Sequence, residues 1–349
     1  MTRTSKHGHF IGTIRLTKQA SLALAEGAET IAETGGPESS LAEDAAIAIA
    51  AEISDLLDPL ANRVVSDYQK GILAAVVFEG LRGEDDPVPL QLPDLSCLER
   101  DRRSLVLASR SQILLALLGE GAFAYDIDNA GKLVRFVANF KGGGAQKVSG
   151  EADAPPVLSS HHGVALGWHT EAPYWATCSP RHGHSPAPSS LVLAARWNPL
   201  GEPTSIVPAA AVLSQLSQLD IGMLAAPHFG FSKSDSFTGT CEEPRDVSII
   251  DHFSPQSVVV KFNIYRCFVL PSAPREAWDA FERLKAVVEA AKPEQVVLTP
   301  ENAVVINNYA ALHGRDVVRD NRRLLLRIFG YAKYVKAVEI SKNPRIVRG

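Results

Sequence analysis

The chain has 349 residues, 46% of them hydrophobic and 21% charged, enough to bury a large core in one elaborated domain. Its net charge is −4, with Lys and Arg spread along the sequence, which argues against a surface built to track nucleic-acid phosphates. No apolar run reaches the roughly 20 residues needed to cross a bilayer.

Neither nucleic acid nor membrane is therefore expected as a partner. Cys97, Cys178, Cys241 and Cys267 are far apart and show no CxxC spacing, a pattern of unpaired thiols that points to a cytoplasmic protein. Residues 1–9 read as a flexible tail in which His7 and His9 are incidental. Ala-rich segments from Ser21 to Thr34 and from Leu41 to Leu60 read as two packing helices, with Ile49, Ile53, Leu56, Leu57 and Leu60 at helical spacing. Gly35-Gly36-Pro37 separates them, and Asp58-Pro59 closes the second. Ile72 to Phe78 is a short β-branched run that predicts a strand, and Pro87-Val88-Pro89 a connector. Leu105 to Leu118 predicts a buried helix ended by Gly119, and Leu133 to Phe140 a strand running into Lys141-Gly142-Gly143-Gly144.

From there strands dominate, with Leu191 to Ala195, Ser257 to Phe262, Val304 to Asn307 and Leu324 to Tyr331 the clearest. One later helix is expected after Pro274, with Ala277, Phe281, Leu284, Val288 and Ala291 on one face. Helices early and irregularly spaced strands late predict an α+β protein with a mainly β core, a sandwich or barrel with helical buttresses. The expected layout is one domain over 10–349, a helical buttress over 10–120 and a β core over 121–340, with loop insertions at 182–190 and 228–256. Neither GxGxxG nor GxxxxGK[ST] occurs, and βα alternation is absent, which argues against a doubly wound nucleotide-binding fold.

The most informative stretch is Leu166-Gly167-Trp168-His169-Thr170-Glu171, an HxE in an extended segment. Residues two apart on a strand share a face, so an imidazole and a carboxylate can converge on one ion. His313, just after the strand ending at Asn307, is the candidate third ligand. Two histidines and a carboxylate form a facial triad that leaves positions open on ferrous iron. Arg323 follows ten residues later and Arg327 four after that, sharing a strand face on which each can grip a carboxylate through a bidentate fork.

These motifs, the HTE at 169–171, an NxxxxHGR ending at Arg315 and the RxxxR of Arg323 and Arg327, resemble the clavaminate synthase-like and taurine dioxygenase-like iron and 2-oxoglutarate oxygenases, from about Ile72 to Tyr331. The resemblance implies a distorted jelly roll (double-stranded β-helix) with N-terminal and flanking helices. It implies iron(II) on His169, Glu171 and His313, with 2-oxoglutarate and O2 as cosubstrates. Arg323 and Thr204 would hold the far carboxylate of 2-oxoglutarate, and Arg327 would hold the same cosubstrate or face an acidic group of the substrate. The reaction implied is oxidative decarboxylation of 2-oxoglutarate coupled to hydroxylation, desaturation or cyclisation at an unactivated carbon of an amino acid or amino-acid-derived metabolite, in a biosynthetic pathway. A third protein ligand argues against halogenation.

The loop between HGR and RxxxR is shorter here than is usual in that group. Asn263 and Tyr265 stand where arginine-hydroxylating members carry two aspartates, so a neutral or acidic substrate with at least one carboxylate is expected. Arg135, Ser159, Ser160 and Trp168 complete the candidate substrate pocket, each with a plain alternative as an exposed strand arginine, turn serines or a core aromatic. His161, His162, His182 and His184 read as loop residues, and 182–190 as a possible lid. Two other readings stay open: a zinc hydrolase using the same ligands, and a non-enzymatic jelly-roll binding protein.

Overall fold

The computed structural model describes residues 10–83, 86–145, 158, 160–238, 242–254, 257–340, 343 and 345–349. The first half runs β1 (Ile11–Arg15), α1 (Lys18–Glu33), α2 (Ala42–Asp55), α3 (Pro59–Gln69), β2 (Ala75–Glu79), α4 (Leu95–Leu98), α5 (Arg102–Leu117), β3 (Glu120–Tyr125) and β4 (Arg135–Val137). Then follow β5 (Leu166–His169), β6 (Ser190–Trp197), β7 (Pro203–Pro208), α6 (Ala209–Leu213), α7 (Gln218–Leu224), β8 (Phe229–Phe231), β9 (Ile250–Ser254), β10 (Ser257–Val260) and β11 (Cys267–Val269). The chain closes with α8 (Arg275–Ala290), β12 (Glu294–Val297), β13 (Asn302–Asn307), β14 (Ala311–Arg315), β15 (Leu324–Ala332) and β16 (Ile346–Val347).

Local chemistry explains the helix starts. Thr17, Asp58 and Asp101 each accept a backbone N–H of the first turn of α1, α3 and α5, at 3.1, 2.8 and 3.0 Å. Such a cap contributes about 1 kcal/mol. Pro59 therefore opens a third helix instead of merely closing the second, because proline's missing N–H costs nothing at a first helical position. This corrects the reading of one helix through Leu60, whose side chain is exposed. Gly119, at φ +82, ends α5 in the left-handed conformation that glycine adopts freely.

Two sheets carry the molecule. Among the described residues the larger has the order β1-β2-β13-β6-β15-β3-β16, with β4 also pairing β15, and the smaller is β12-β7-β14-β5. Alternation along β6 and β15 divides their side chains. Val192, Ala194, Leu326 and Ile328 face α1, α2 and α5 in one core cluster. Leu191, Leu193, Leu325 and Phe329 face the smaller sheet in another, with Ile206 and Ala311. The far side of the smaller sheet, through Val207 and Leu312, packs on Phe281, Leu284 and Val288 of α8. The strands are buried on both faces, which is why they read as unbroken apolar runs.

This is a mixed α+β fold with several sheets, as the sequence suggested. The expected strand at 133–140 shortens to Arg135–Val137, and α6 and α7 add helices to a region read as nearly all strand. Among the described residues no helix is long and apolar enough to cross a membrane.

Candidate metal and cosubstrate site

Residues from both sheets line one cavity between them. β5 and β14 are antiparallel neighbours, and His169 lies directly opposite His313 across the pair, with ring centroids 4.3 Å apart. The close approach depends on Gly314: a Cβ there would sit 2.8 Å from the carbonyl of Leu166. His313 thus occupies a strand of its own, separated from β13 by the turn at Asn308 to Ala310, and does not merely trail β13. β5 ends at His169, so Glu171 lies past the strand and alternation alone does not place it. Hydrogen bonds do: Thr170 N donates to Phe262 O at 2.7 Å, and Glu171 N donates to Asn308 Oδ1 at 2.7 Å.

One donor atom each from His169, Glu171 and His313 falls within 4.8 Å of the others, a cluster that can hold a metal ion. His169 Nδ1 lies 2.7 Å from Gly167 O, which fixes the ring and leaves Nε2 as the ligand atom. His313 Nε2 is 3.6 Å from Glu171 Oε1. Burial, with His313 adjacent, lowers His169 to about 4, so the imidazole is neutral and ready to ligate. Burial alone would raise Glu171, but Arg327 and the two histidines outweigh it and hold the carboxyl well below its usual range. Two imidazoles and a carboxylate fit ferrous iron and also zinc.

One end of the cavity holds Thr204, Arg315 and Arg323. Arg323 is 2% exposed, and its Nε and Nη1 are buried with no hydrogen-bond partner among the described residues. Nε and Nη1 of Arg315 are in the same condition, while its Nη2 donates to His162 O. Burial, and then the charge of Arg323, bring Arg315 down to about 9. The nearby carboxylate of Glu202 is already engaged, accepting from Arg319 N and Asp320 N at 3.1 Å each. Two guanidinium groups thus face a space that holds no free anion among the described residues, an arrangement that is costly unless an anionic ligand enters.

The opposite end carries a second cationic pair. Arg135 of β4 and Arg327 of β15 are direct cross-strand partners, a destabilising match unless an anion intervenes. Asp128 intervenes, taking Arg135 Nη1 on one oxygen and Arg327 Nη2 on the other, the latter at 2.9 Å. Arg327 Nη1 also reaches both oxygens of Glu171, at 3.2 and 3.3 Å, and its guanidinium stacks on Phe329 at 3.7 Å. Arg327, read from the sequence as a contact for the cosubstrate or for an acidic group of the substrate, also braces the carboxylate of the metal cluster. Arg135 is buried, and its Nε donates to Ser160 at 2.5 Å, which rules out the exposed alternative.

Of the remaining candidates, Ser160, Asn263 and Tyr265 line the cavity, Tyr265 from the exposed rim, whereas Ser159 lies outside the described residues. Trp168 packs in the α8-side core and does not line the cavity. The segment 182–190 is no lid over it: Ser185, Ala187 and Ser189 are buried, His184 stacks on Trp175 at 5.0 Å, and none of the stretch contributes to the lining. Sequence reasoning missed Arg315, Asp128 and Arg266 as site residues. The HGR motif already displayed Arg315; nothing in the sequence singled out the other two.

Solved structures with a similar fold include two oxygenases. The chain matches an asparagine oxygenase in complex with Fe(II), 2S,3S-3-hydroxyasparagine and succinate at TM-score 0.71 and 17% identity, over 97% of this chain and 99% of that one. It matches OrfP in complex with Fe and alpha-ketoglutaric acid at TM-score 0.71 and 21% identity, with the same coverage. OrfP with Fe, succinate and (3S)-hydroxy-L-Arg matches at 0.69 and 20%, over 96% and 99%. No family model matches, and no curated protein matches by sequence.

Proposed function

We propose that this protein is a mononuclear non-haem iron(II) and 2-oxoglutarate-dependent oxygenase that oxidises an unactivated carbon of an amino-acid-like, carboxylate-bearing metabolite. The observation that carries the reading is the Arg315 and Arg323 pair, whose Nε and Nη1 atoms are buried with no hydrogen-bond partner among the described residues, at one end of the cavity that holds the His169, Glu171 and His313 cluster. A hydrolytic zinc site gives those buried cations no task, whereas a dicarboxylate cosubstrate does.

In this reading the two sheets form a distorted jelly roll within one domain, and the helices α1, α2 and α5 buttress it. His169, Glu171 and His313 hold iron, which when bound supplies oxygen activation coupled to decarboxylation of 2-oxoglutarate. Arg323, Arg315 and Thr204 grip the cosubstrate's far carboxylate, which leaves its other end directed at the metal. Arg327 and Arg135, held side by side by Asp128, receive the substrate's carboxylate and set which carbon faces the metal. Leu191, Leu193 and Leu325 exclude water between the two ends. Two of the solved structures named above carry hydroxylated asparagine or arginine, which supports an amino-acid-like substrate.

The test is a screen of amino acids and small carboxylates with the purified protein, iron(II), 2-oxoglutarate and O2, followed by succinate formation and product mass. The expected result is succinate in step with a product that has gained one oxygen or lost two hydrogens. Zinc-dependent hydrolysis without succinate would contradict the proposal.

A further inference from the structure

We infer that the substrate is a diacid whose second acidic group lies against Arg266, Ser234 and Ser236, a reading that rests on the oxygenase assignment above. The described lining of the cavity includes five arginines, Arg135, Arg266, Arg315, Arg323 and Arg327, no lysine, and a single carboxylate, Glu171. That carboxylate belongs to the metal cluster. The far carboxylate of 2-oxoglutarate would lie against Arg315 and Arg323, and its other carboxylate on the metal. At the other end Asp128 and Glu171 offset Arg135 and Arg327, and bound iron carries one positive charge more than that second carboxylate offsets, so this half of the cavity stays cationic.

Among the described lining residues no carboxylate stands free for a cationic side chain. Asp128 is shared by both arginines. Asn263, at the position expected to face the substrate's far end, spends its Oδ1 on Tyr265 N at 3.0 Å, and its Nδ2 lies 3.4 Å from Tyr174 Oη. An ammonium or guanidinium entering here would lose its hydration without compensation.

Donor groups line the cavity as well. Arg266 is 9% exposed and lines the cavity together with Ser234 and Ser236, whose hydroxyls lie 3.0 Å apart. Its Nη1 donates to Lys233 O, and its Nη2 reaches Asp235 at 2.9 Å, a carboxylate whose side chain is 38% exposed. Arg266 Nη2 also lies 3.5 Å from Leu158 O, and Arg135 Nε bonds Ser160 Oγ.

Calorimetry on the full-length protein loaded with nickel(II), as a redox-inert substitute for iron, and with 2-oxoglutarate tests this through binding and not turnover. The probes are L-aspartate, L-glutamate and L-2-aminoadipate against L-asparagine, L-glutamine and L-arginine. At least one diacid should bind about tenfold or more tighter than its amide or L-arginine, a difference of about 1.4 kcal/mol. Arg266→Gln should erase that preference, weakening the diacid about tenfold while leaving the amide within about twofold and 2-oxoglutarate unaffected. If that variant does not fold, a Ser234→Ala/Ser236→Ala double variant carries the test and should weaken the diacid severalfold. Amides or L-arginine binding as tightly as the diacids, equal weakening of diacid and amide by Arg266→Gln, or an unchanged diacid affinity in the serine variant would each overturn the inference. So would 2-oxoglutarate binding with no diacid binding, which leaves the oxygenase reading intact. Failure of the metal-loaded protein to bind 2-oxoglutarate at all would remove both.

Discussion

Alanine in place of His313 or His169 is expected to abolish stoichiometric iron binding and to lower turnover by roughly three orders of magnitude or more, because two remaining ligands cannot hold a facial site in a fixed geometry. The fold should survive. His313 Nδ1 has no hydrogen-bond partner among the described residues, and His313 meets Glu171 only at 3.6 Å, so its removal takes away little structural bonding. Metal analysis beside thermal unfolding separates the two effects. Full metal occupancy with undiminished turnover in either variant would remove that residue from the cluster.

Arg323→Leu is expected to raise the KM for 2-oxoglutarate by about a hundredfold or more with a smaller effect on the primary substrate. A charged contact to a carboxylate in a buried site is worth about 3 kcal/mol when one partner is left unpaired, and Arg323 offers two buried donors with nothing else to bind. Arg327→Leu should show the opposite bias. It faces the other end of the cavity, and its loss also frees Asp128 and Glu171, so the KM for the primary substrate should rise and iron affinity should change with it. Steady-state kinetics with each cosubstrate varied in turn distinguishes the patterns. A reversed pair of effects would mean that the two ends of the cavity have been exchanged.

Much of this site was legible in the sequence because its parts are local. His169 and Glu171 are two residues apart, His313 lies in β14, and Arg323 and Arg327 lie just before and within β15, so short motifs point to all five. The helices with a clear apolar stripe, α1, α2, α5 and α8, were also found, with small errors at their ends. What escaped is non-local or unfavourably composed. β7 both begins and ends with proline, and β1 is five residues beside a polar tail. β14 reads as a motif and not as a strand, since it contains a glycine and two polar groups in five residues. Asp128 stands 199 residues from Arg327, and only the pairing of β4 with β15 shows that it must neutralise two opposed arginines. Arg266 gave no signal, because an arginine after a turn is ordinary until the cavity beside it is seen.

The central claim, that one cavity holds ferrous iron and 2-oxoglutarate together, is tested most directly by optical titration of the full-length protein without oxygen. Iron(II) followed by 2-oxoglutarate should produce a weak visible metal-to-ligand charge-transfer band that saturates at one equivalent of each and is absent with zinc(II). A protein that binds iron(II) but develops no band at saturating 2-oxoglutarate would contradict the account.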